Sequence, residues 1–159
     1  MIVTQDGYRD GDIAMIRSRA AIVPLSEYDH AALIWFRRGI WYTIEAGASG
    51  VKVWKGPHWG RPFDVFRPNN TSAEAGKVAI DAALARVGES YSFWNLLIVI
   101  RKMLARRVIN AQAVVCTELV AQAWAAAGVQ LCPGNLHPTP TELAWGLVDI
   151  DCRDSFIHV

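Results

Sequence analysis

A cysteine that precedes a helical apolar stripe is the residue of this sequence best suited to nucleophilic chemistry. The predicted helix begins near Cys116 and runs to Ala127, and Cys116 shares its inward face with Leu119, Val120 and Ala123. At a helix start, unpaired backbone N–H groups and the positive end of the helix dipole favour a thiolate and can stabilise an oxyanion. The same pattern equally fits a buried structural cysteine, because free cysteine is among the most buried residue types.

Two residues of neighbouring predicted strands could activate this thiol. His30 precedes the apolar run Ala31 to Phe36, and Glu45 ends the run Ile40 to Glu45. If these runs pair as a hairpin through Arg37 to Gly39, His30 and Glu45 fall at the same open end. The carboxylate would then orient the imidazole, which would take the thiol proton. A structural histidine and a solvated strand-end carboxylate are the alternative interpretations.

The other ionisable residues carry weaker signals for chemistry. We interpret His58, His137 and His158 as structural or surface residues. Three further acids are candidates for orienting the base: Asp12, Asp29 and Glu118. Of these, Glu118 lies off the apolar stripe and should be solvated.

The cysteine spacing predicts no metal site, and the thiol chemistry described above requires no metal or organic cofactor. Cys116, Cys132 and Cys152 form no CxxC pair and have no Cys/His spacing of the zinc type. Cys132 and Cys152 are therefore expected to be structural, and whether they pair with each other is left open.

Composition restricts the class of protein. The chain has 159 residues, 52% of them hydrophobic and 19% charged, which predicts one globular domain over residues 1–159. A net charge of +1 gives no basic surface for a phosphate backbone, so nucleic acid is not an expected partner. Neither a signal peptide nor a membrane span is visible. The compartment and the oligomeric state stay open, with the cytoplasm as default and a phage or cell-wall association as an alternative.

The elements that must position these residues are strands first and helices later. Short β-prone runs separated by Gly, Pro and Asn predict a small antiparallel sheet in the first half. The predicted strands are Ile13 to Ile16, Ala31 to Phe36, Ile40 to Glu45, Val51 to Trp54 and Phe63 to Phe66.

The second half predicts helices and a loop-rich tail. A capping box of Thr71 and Glu74 opens a helix that Gly88 ends. The other predicted elements are a helical stretch from Ser92 to Arg107, the Cys116 helix, a short helix from Thr141 to Trp145, and β-prone runs at Leu147 to Ile150 and Phe156 to Val159.

Seven segments, in order, resemble a known family. The chain is similar to the circularly permuted papain-like proteins of the NlpC/P60 superfamily, in particular the YiiX/YaeF-like amidases. The segments are Gly11-Asp12-Ile13, Asp29 to Ile34, Ile44-Glu45-Ala46 followed by Gly50-Val51, Phe63 to Pro68 ending in Arg-Pro, Val87 to Tyr91, Val115 to Val120 around Cys116, and Pro138 to Ala144.

The resemblance implies an α+β fold in which a small antiparallel sheet or barrel packs against helices, with the nucleophile at a helix N-terminus. It implies Cys116 as nucleophile, His30 as base, Glu45 as the residue that orients the base, and Tyr91 as an oxyanion or substrate contact. It also implies a cysteine peptidase or amidase that cleaves a peptidoglycan peptide or similar amide through a thioester. Thr117 stands where the family more often has serine.

Two other functions stay open. Lipid acyl transfer or thioester hydrolysis would suit the segment from Phe93 to Arg107, which is apolar early and basic late, and would make a membrane surface or an acyl substrate the partner. A non-catalytic module of the same fold would bind a cell-wall fragment or a protein without cleaving it. Seven tryptophans are compatible with a sugar-, lipid- or partner-binding surface and equally with core packing.

Overall fold

An antiparallel sheet is the part of the fold that positions the candidate site. The computed structural model describes residues 7–18, 27–47, 49–89, 111–134, 138–149 and 157–158. Its strands are β1 (Ile13–Arg17), β2 (Tyr28–Arg37), β3 (Ile40–Gly47), β4 (Gly50–Lys55), β5 (Phe63–Phe66) and β6 (Ile157–His158). Their order in the sheet is β4-β3-β2-β1-β5-β6, and neighbouring strands are antiparallel. The five strands predicted in the first half are confirmed.

The β2–β3 hairpin is also confirmed, and both of its strands are longer than predicted. Arg38 and Gly39 form a two-residue turn with φ of 52° and 74°, the positive values that a type I′ turn needs. β2 begins at Tyr28, which pairs with Arg17 across a register shift in β1. His30 therefore lies inside a strand rather than before one.

Three helices follow the first five strands within the described residues: α1 (Ala73–Leu84), α2 (Ala111–Ala126) and α3 (Pro140–Asp149). The predicted cap of α1 is wrong by one residue. Ser72 is the N-cap, and its Oγ accepts a hydrogen bond from the Ala75 amide. The Thr71 hydroxyl instead donates to the Pro68 carbonyl oxygen and accepts from Arg9. The long-range contact with Arg9 therefore leaves the Ser72 hydroxyl, rather than that of Thr71, to cap the helix.

The predicted strand at Leu147 to Ile150 is wrong, because α3 continues to Asp149. This helix is fixed at its start by a reciprocal capping box. The Glu142 amide donates to the Thr139 hydroxyl, and the Thr139 amide donates to the Glu142 carboxylate. Pro140 stands at the first helical position, where proline is favoured.

Apolar side chains fill both faces of the sheet. One cluster lies between the sheet and the helices and includes Leu33, Ile44, Leu119 and Trp124. A second cluster on the opposite face combines Ala14, Ile16, Ala32, Ile34 and Val65 with aromatic rings such as Tyr8 and Phe63. Strand alternation thus assigns successive residues of β2 to opposite faces.

A close approach of two glycines joins α1 to the chain before β1. A Cβ on Gly76 would lie 2.1 Å from the Asp10 carbonyl oxygen, and a Cβ on Gly11 would lie 2.8 Å from the Gly76 Cα. The Trp124 indole also donates to the Gly11 carbonyl oxygen at 3.1 Å. Glycine is therefore required at both positions for the helices to seat on the sheet.

Several predictions fall outside the described residues: the stretch from Ser92 to Arg107, Tyr91, His137 and Cys152. The terminal run is confirmed in part, as Ile157–His158 pairs with β5. Among the helices that the structure describes, none combines the length and apolar character needed to cross a bilayer.

Candidate functional site

Cys116 faces the core from the middle of a helix rather than from its start. It is the sixth residue of α2 and is fully buried in the cluster between helices and sheet. The inward stripe is confirmed, whereas the predicted helix start is wrong. Only the first four amides of an α-helix lack an intrahelical acceptor, so the helix start cannot supply the oxyanion donors at Cys116.

A backbone amide of β2 supplies a hydrogen-bond donor at Cys116 that the helix start cannot supply. The Ala31 amide donates to the Cys116 sulfur with an N···S distance of 3.3 Å. The side chain of the adjacent His30 also interacts with Cys116. One peptide segment of β2 therefore presents both an N–H donor and an imidazole to the sulfur, an arrangement that can hold negative charge there.

His30 and Glu45 lie together on the sheet, as the hairpin predicts. His30 pairs in register with Ile16 on β1. Its Nε2 is hydrogen-bonded to Glu45 Oε2. The two residues are 8% and 6% exposed, so this ion pair is shielded from solvent.

The protonation of this pair is shifted towards the charged forms. Burial lowers the pKa of His30, but the interactions with Cys116 and Glu45 outweigh burial and raise it to about 10. Burial raises the pKa of Glu45, but the hydrogen bonds from His30 and Trp59 outweigh it and bring the pKa below its usual range. Both shifts favour the imidazolium–carboxylate ion pair over the neutral pair.

Two residues of the β4–β5 loop complete the surroundings of Glu45 and were missed by the sequence prediction. The Trp59 indole donates to Glu45 Oε2 at 2.9 Å. His58 Nε2 lies 2.9 Å from Glu45 Oε1, but off the hydrogen-bonding direction, so that Oε1 has no hydrogen-bond donor among the described residues. His58, predicted to be structural or at the surface, is partly exposed and contacts the candidate orienting carboxylate.

The remaining candidates have other partners. Asp12 binds Arg67 through both carboxylate oxygens at 2.7 Å, and Asp29 pairs with Arg61 at 2.6 Å. Glu118 is half-buried and accepts from Gln122 on the same helix, rather than being solvated as predicted. Asp12 and Asp29 are therefore engaged by arginines, and Glu118 is engaged by a glutamine of its own helix.

A cleft of about 480 Å³ opens beside His30 and Glu45. Its aromatic wall is formed by Trp54, His58 and Trp59, and the first two rings stack with centroids 4.4 Å apart. The other lining residues are Asp29, Ala46, Gly47, Ser49, Gly50, Lys52 and Arg61. Cys116 has no exposed surface and does not line the cleft, whereas His30, which interacts with Cys116, does line it.

The comparisons with known proteins support the fold. An α+β arrangement with an antiparallel sheet of this kind is found in a solved structure described as the metalloprotein yiiX from Escherichia coli O157:H7, DUF1105. The two chains are 18% identical and superpose with a TM-score of 0.52, over 94% of this chain and 88% of the other. The chain therefore has a YiiX-like fold. No protein-family model matches it, and no curated protein matches it.

That solved structure is described as a metalloprotein, and a metal centre requires several His, Cys, Asp or Glu side chains around one position. In the part of the chain that the structure describes, no group of three or more His, Cys, Asp or Glu side chains could hold a metal ion. The Nε2 atoms of His30 and His58 lie against different oxygens of Glu45 instead of surrounding one open position. The described side chains therefore do not fit a metal centre.

Proposed function

We propose that the protein is a cysteine hydrolase of the permuted papain-like kind, with Cys116 as nucleophile, His30 as acid and base, and Glu45 as the orienting carboxylate. The observation that carries the proposal is the contact chain from Cys116 through His30 to Glu45. Nucleophile, base and orienting group in hydrogen-bond contact are what acyl transfer requires. A histidine that precedes the cysteine in sequence is what the permutation implies.

The reaction would proceed through a thioester. The Cys116 thiolate forms a bond to the carbonyl carbon of the substrate, the carbon–nitrogen bond breaks, and the His30 imidazolium gives its proton to the leaving amine. The neutral imidazole then takes a proton from water, whose oxygen attacks the thioester. The carbon–sulfur bond breaks, a carboxylic acid leaves, and the thiolate–imidazolium pair is restored.

The proposed substrate is a peptide amide, with a peptidoglycan stem peptide as the first candidate. The support is the resemblance of the seven sequence segments together with a cleft large enough for several residues. Because Cys116 is fully buried, attack also requires that side chains at the cleft floor move far enough to bring sulfur and carbonyl together. The accessibility of the thiol is therefore what an experiment must measure.

The buried sulfur also favours a second candidate, a non-catalytic module that binds a cell-wall or protein ligand in the cleft. In such a module Cys116 would be a core residue and the His30–Glu45 pair would be part of the binding wall. The two functions differ in one measurable property, the reactivity of the thiol.

Alkylation by iodoacetamide near pH 7, followed residue by residue with mass spectrometry, separates the two functions. We expect Cys116 to react at least tenfold faster than Cys132, whose pKa is raised to about 11 by burial and by Glu142. Cys116→Ser identifies the labelled site, and hydrolysis of stem peptides from a muramidase digest tests the substrate. If Cys116 reacts no faster than Cys132, the hydrolase proposal fails and the binding module is favoured.

A further inference from the structure

The charged side chains that line the cleft indicate which charge a bound ligand should have. Four of its lining side chains are ionised acids or strong bases: Asp29, Glu45, Lys52 and Arg61. Asp29 and Arg61 neutralise each other at 2.6 Å, and Glu45 is engaged with His30. Lys52 has no carboxylate within ion-pair distance among the described residues, so it is the cleft cation whose charge is left for a ligand.

Lys52 also lies beside the aromatic wall. Its Nζ is 6.0 Å from the centre of the Trp54 ring, within the range of a cation–π contact. Trp54 is 41% exposed and stacks on His58, so the wall presents a flat apolar surface next to the ammonium group. A ligand that combines an apolar group with a negative charge would match both features.

The sheet register gives the separation between the Lys52 backbone and the strand that holds His30. Lys52 on β4 pairs with Glu45 on β3, and β3 pairs in turn with β2, which holds His30. Neighbouring strands lie about 4.8 Å apart, so Lys52 stands about 10 Å from the His30 strand. An extended peptide rises about 3.3 Å per residue, so about three residues span that gap.

We propose that the cleft binds an extended acyl or peptidyl ligand whose carboxylate, about three residues from the scissile amide, pairs with Lys52 beside Trp54. This inference rests on the proposed hydrolase for the position of the amide, and it names the substrate class of that same site. A charge-assisted hydrogen bond in a partly enclosed cleft contributes enough to separate a charged from a neutral ligand by about tenfold.

A matched pair of peptides tests the inference in Cys116→Ala, where no thioester can form. Acetyl-trialanine with a free C-terminal carboxylate is compared with the same peptide as a C-terminal carboxamide. Binding is followed by NMR on the indole N–H signals, with Trp54→Phe used to assign the reporter. We expect the free acid to bind about tenfold more tightly than the carboxamide at low salt, and the difference to shrink at high salt.

Two lysines of the same strand provide the test and its control. Lys52→Gln should reduce the preference for the acid to about one, and Lys55→Gln, which changes an exposed lysine outside the cleft lining, should leave it unchanged. Equal affinity for acid and amide, or a preference that survives Lys52→Gln, overturns the inference. Because the hydrolase is judged separately by the reactivity of Cys116, failure of the ligand inference can be distinguished from failure of the hydrolase proposal.

Discussion

Glu45 on β3 and Asp12, which directly precedes β1, are both buried carboxylates, yet they have opposite kinds of partner. Asp12, 1% exposed, receives two hydrogen bonds from the Arg67 guanidinium and one from the Arg9 amide, so both of its oxygens are satisfied. Glu45 is paired with an imidazole, and its Oε1 has no hydrogen-bond donor among the described residues. Of these two carboxylates, Glu45 lines the cleft and Asp12 does not.

The difference teaches how to separate a structural from a functional carboxylate in this molecule. A guanidinium does not release its proton, so the Asp12 pair can fix geometry but cannot move protons. Asp64 follows the same pattern, since Arg17 and the Tyr28 hydroxyl contact its Oδ2 at 2.8 and 2.7 Å. An imidazole gains and loses its proton within a usable range of pH, so the Glu45 pair can take part in chemistry.

Replacement of His30, the titratable partner of Glu45, should give the largest loss of activity among the predicted variants. We expect His30→Gln to lower hydrolysis by roughly 10²–10⁴-fold, because glutamine cannot deliver a proton to the leaving group. The rate of Cys116 alkylation near pH 7 should fall with it. Stem-peptide hydrolysis and labelling of the same preparation measure both. Unchanged rates in a folded variant would show that His30 belongs with the structural pairs.

Removal of the structural charge should instead reduce stability. Asp12→Asn leaves the Arg67 charge without its carboxylate, and the free energy of unfolding should fall by about 3 kcal/mol. Urea denaturation of this variant measures the loss, and labelling of Cys116 below the transition should match the unmodified protein. A folded Asp12→Asn protein with a slow thiol would contradict the division between the two carboxylates.

The two kinds of pair should also differ in their response to pH. Because the pKa of His30 is raised from 6.5 to about 10, the stability that this group contributes is complete below pH 6.5 and is lost as the pH approaches 10. Because the pKa of Glu45 is lowered from 4.5, its contribution is present above that pH and is lost on further acidification.

The free energy of unfolding measured from pH 6.5 to 10 should therefore fall on the order of 4 kcal/mol more in the unmodified protein than in His30→Gln. The Asp12 pair adds nothing on the alkaline side, since a guanidinium keeps its charge there. Parallel curves for the two proteins would mean that the His30–Glu45 pair does not titrate as the structure implies.

Loss of the Trp59 indole, one hydrogen-bond donor to Glu45, should give the smallest change in activity among the predicted variants. Trp59→Phe removes the indole N–H from Oε2 and should lower kcat about fivefold with little change in KM, the equivalent of about 1 kcal/mol. Trp41→Phe, in the second apolar cluster, is the matched control. An NMR titration should show a lower His30 pKa in Trp59→Phe alone. Identical titrations in both variants would remove Trp59 from the positioning of Glu45.

The sheet was predictable because its signals are local. Alternating β-prone runs and a short turn at Arg38–Gly39 identify the hairpin, and the hairpin is enough to bring His30 and Glu45 together. The capping box of Thr139 and Glu142 was also present in the sequence, but the β-branched residues further along favoured the wrong interpretation of Leu147 to Ile150.

The features of the structure that the sequence pattern did not predict depend mainly on contacts between residues far apart in the chain. Thr71 and Ser72 offer adjacent capping hydroxyls, and only the distant Arg9 decides which one is used. His58 reaches Glu45 through a loop whose path the sequence pattern does not determine. The start of α2 is a different case, since Ala111 and the residues after it are good helix formers that gave a usable signal for an earlier start.

The Arg38–Gly39 turn has a consequence for protein engineering. It lies eight residues from His30, roughly 26 Å along an extended strand. It nevertheless sets which residue of β3 stands opposite each residue of β2, and a slip by one residue would send Glu45 to the other face of the sheet. An insertion or deletion at this distant, solvent-facing bend would therefore disable the site while every side chain of the site itself remained intact.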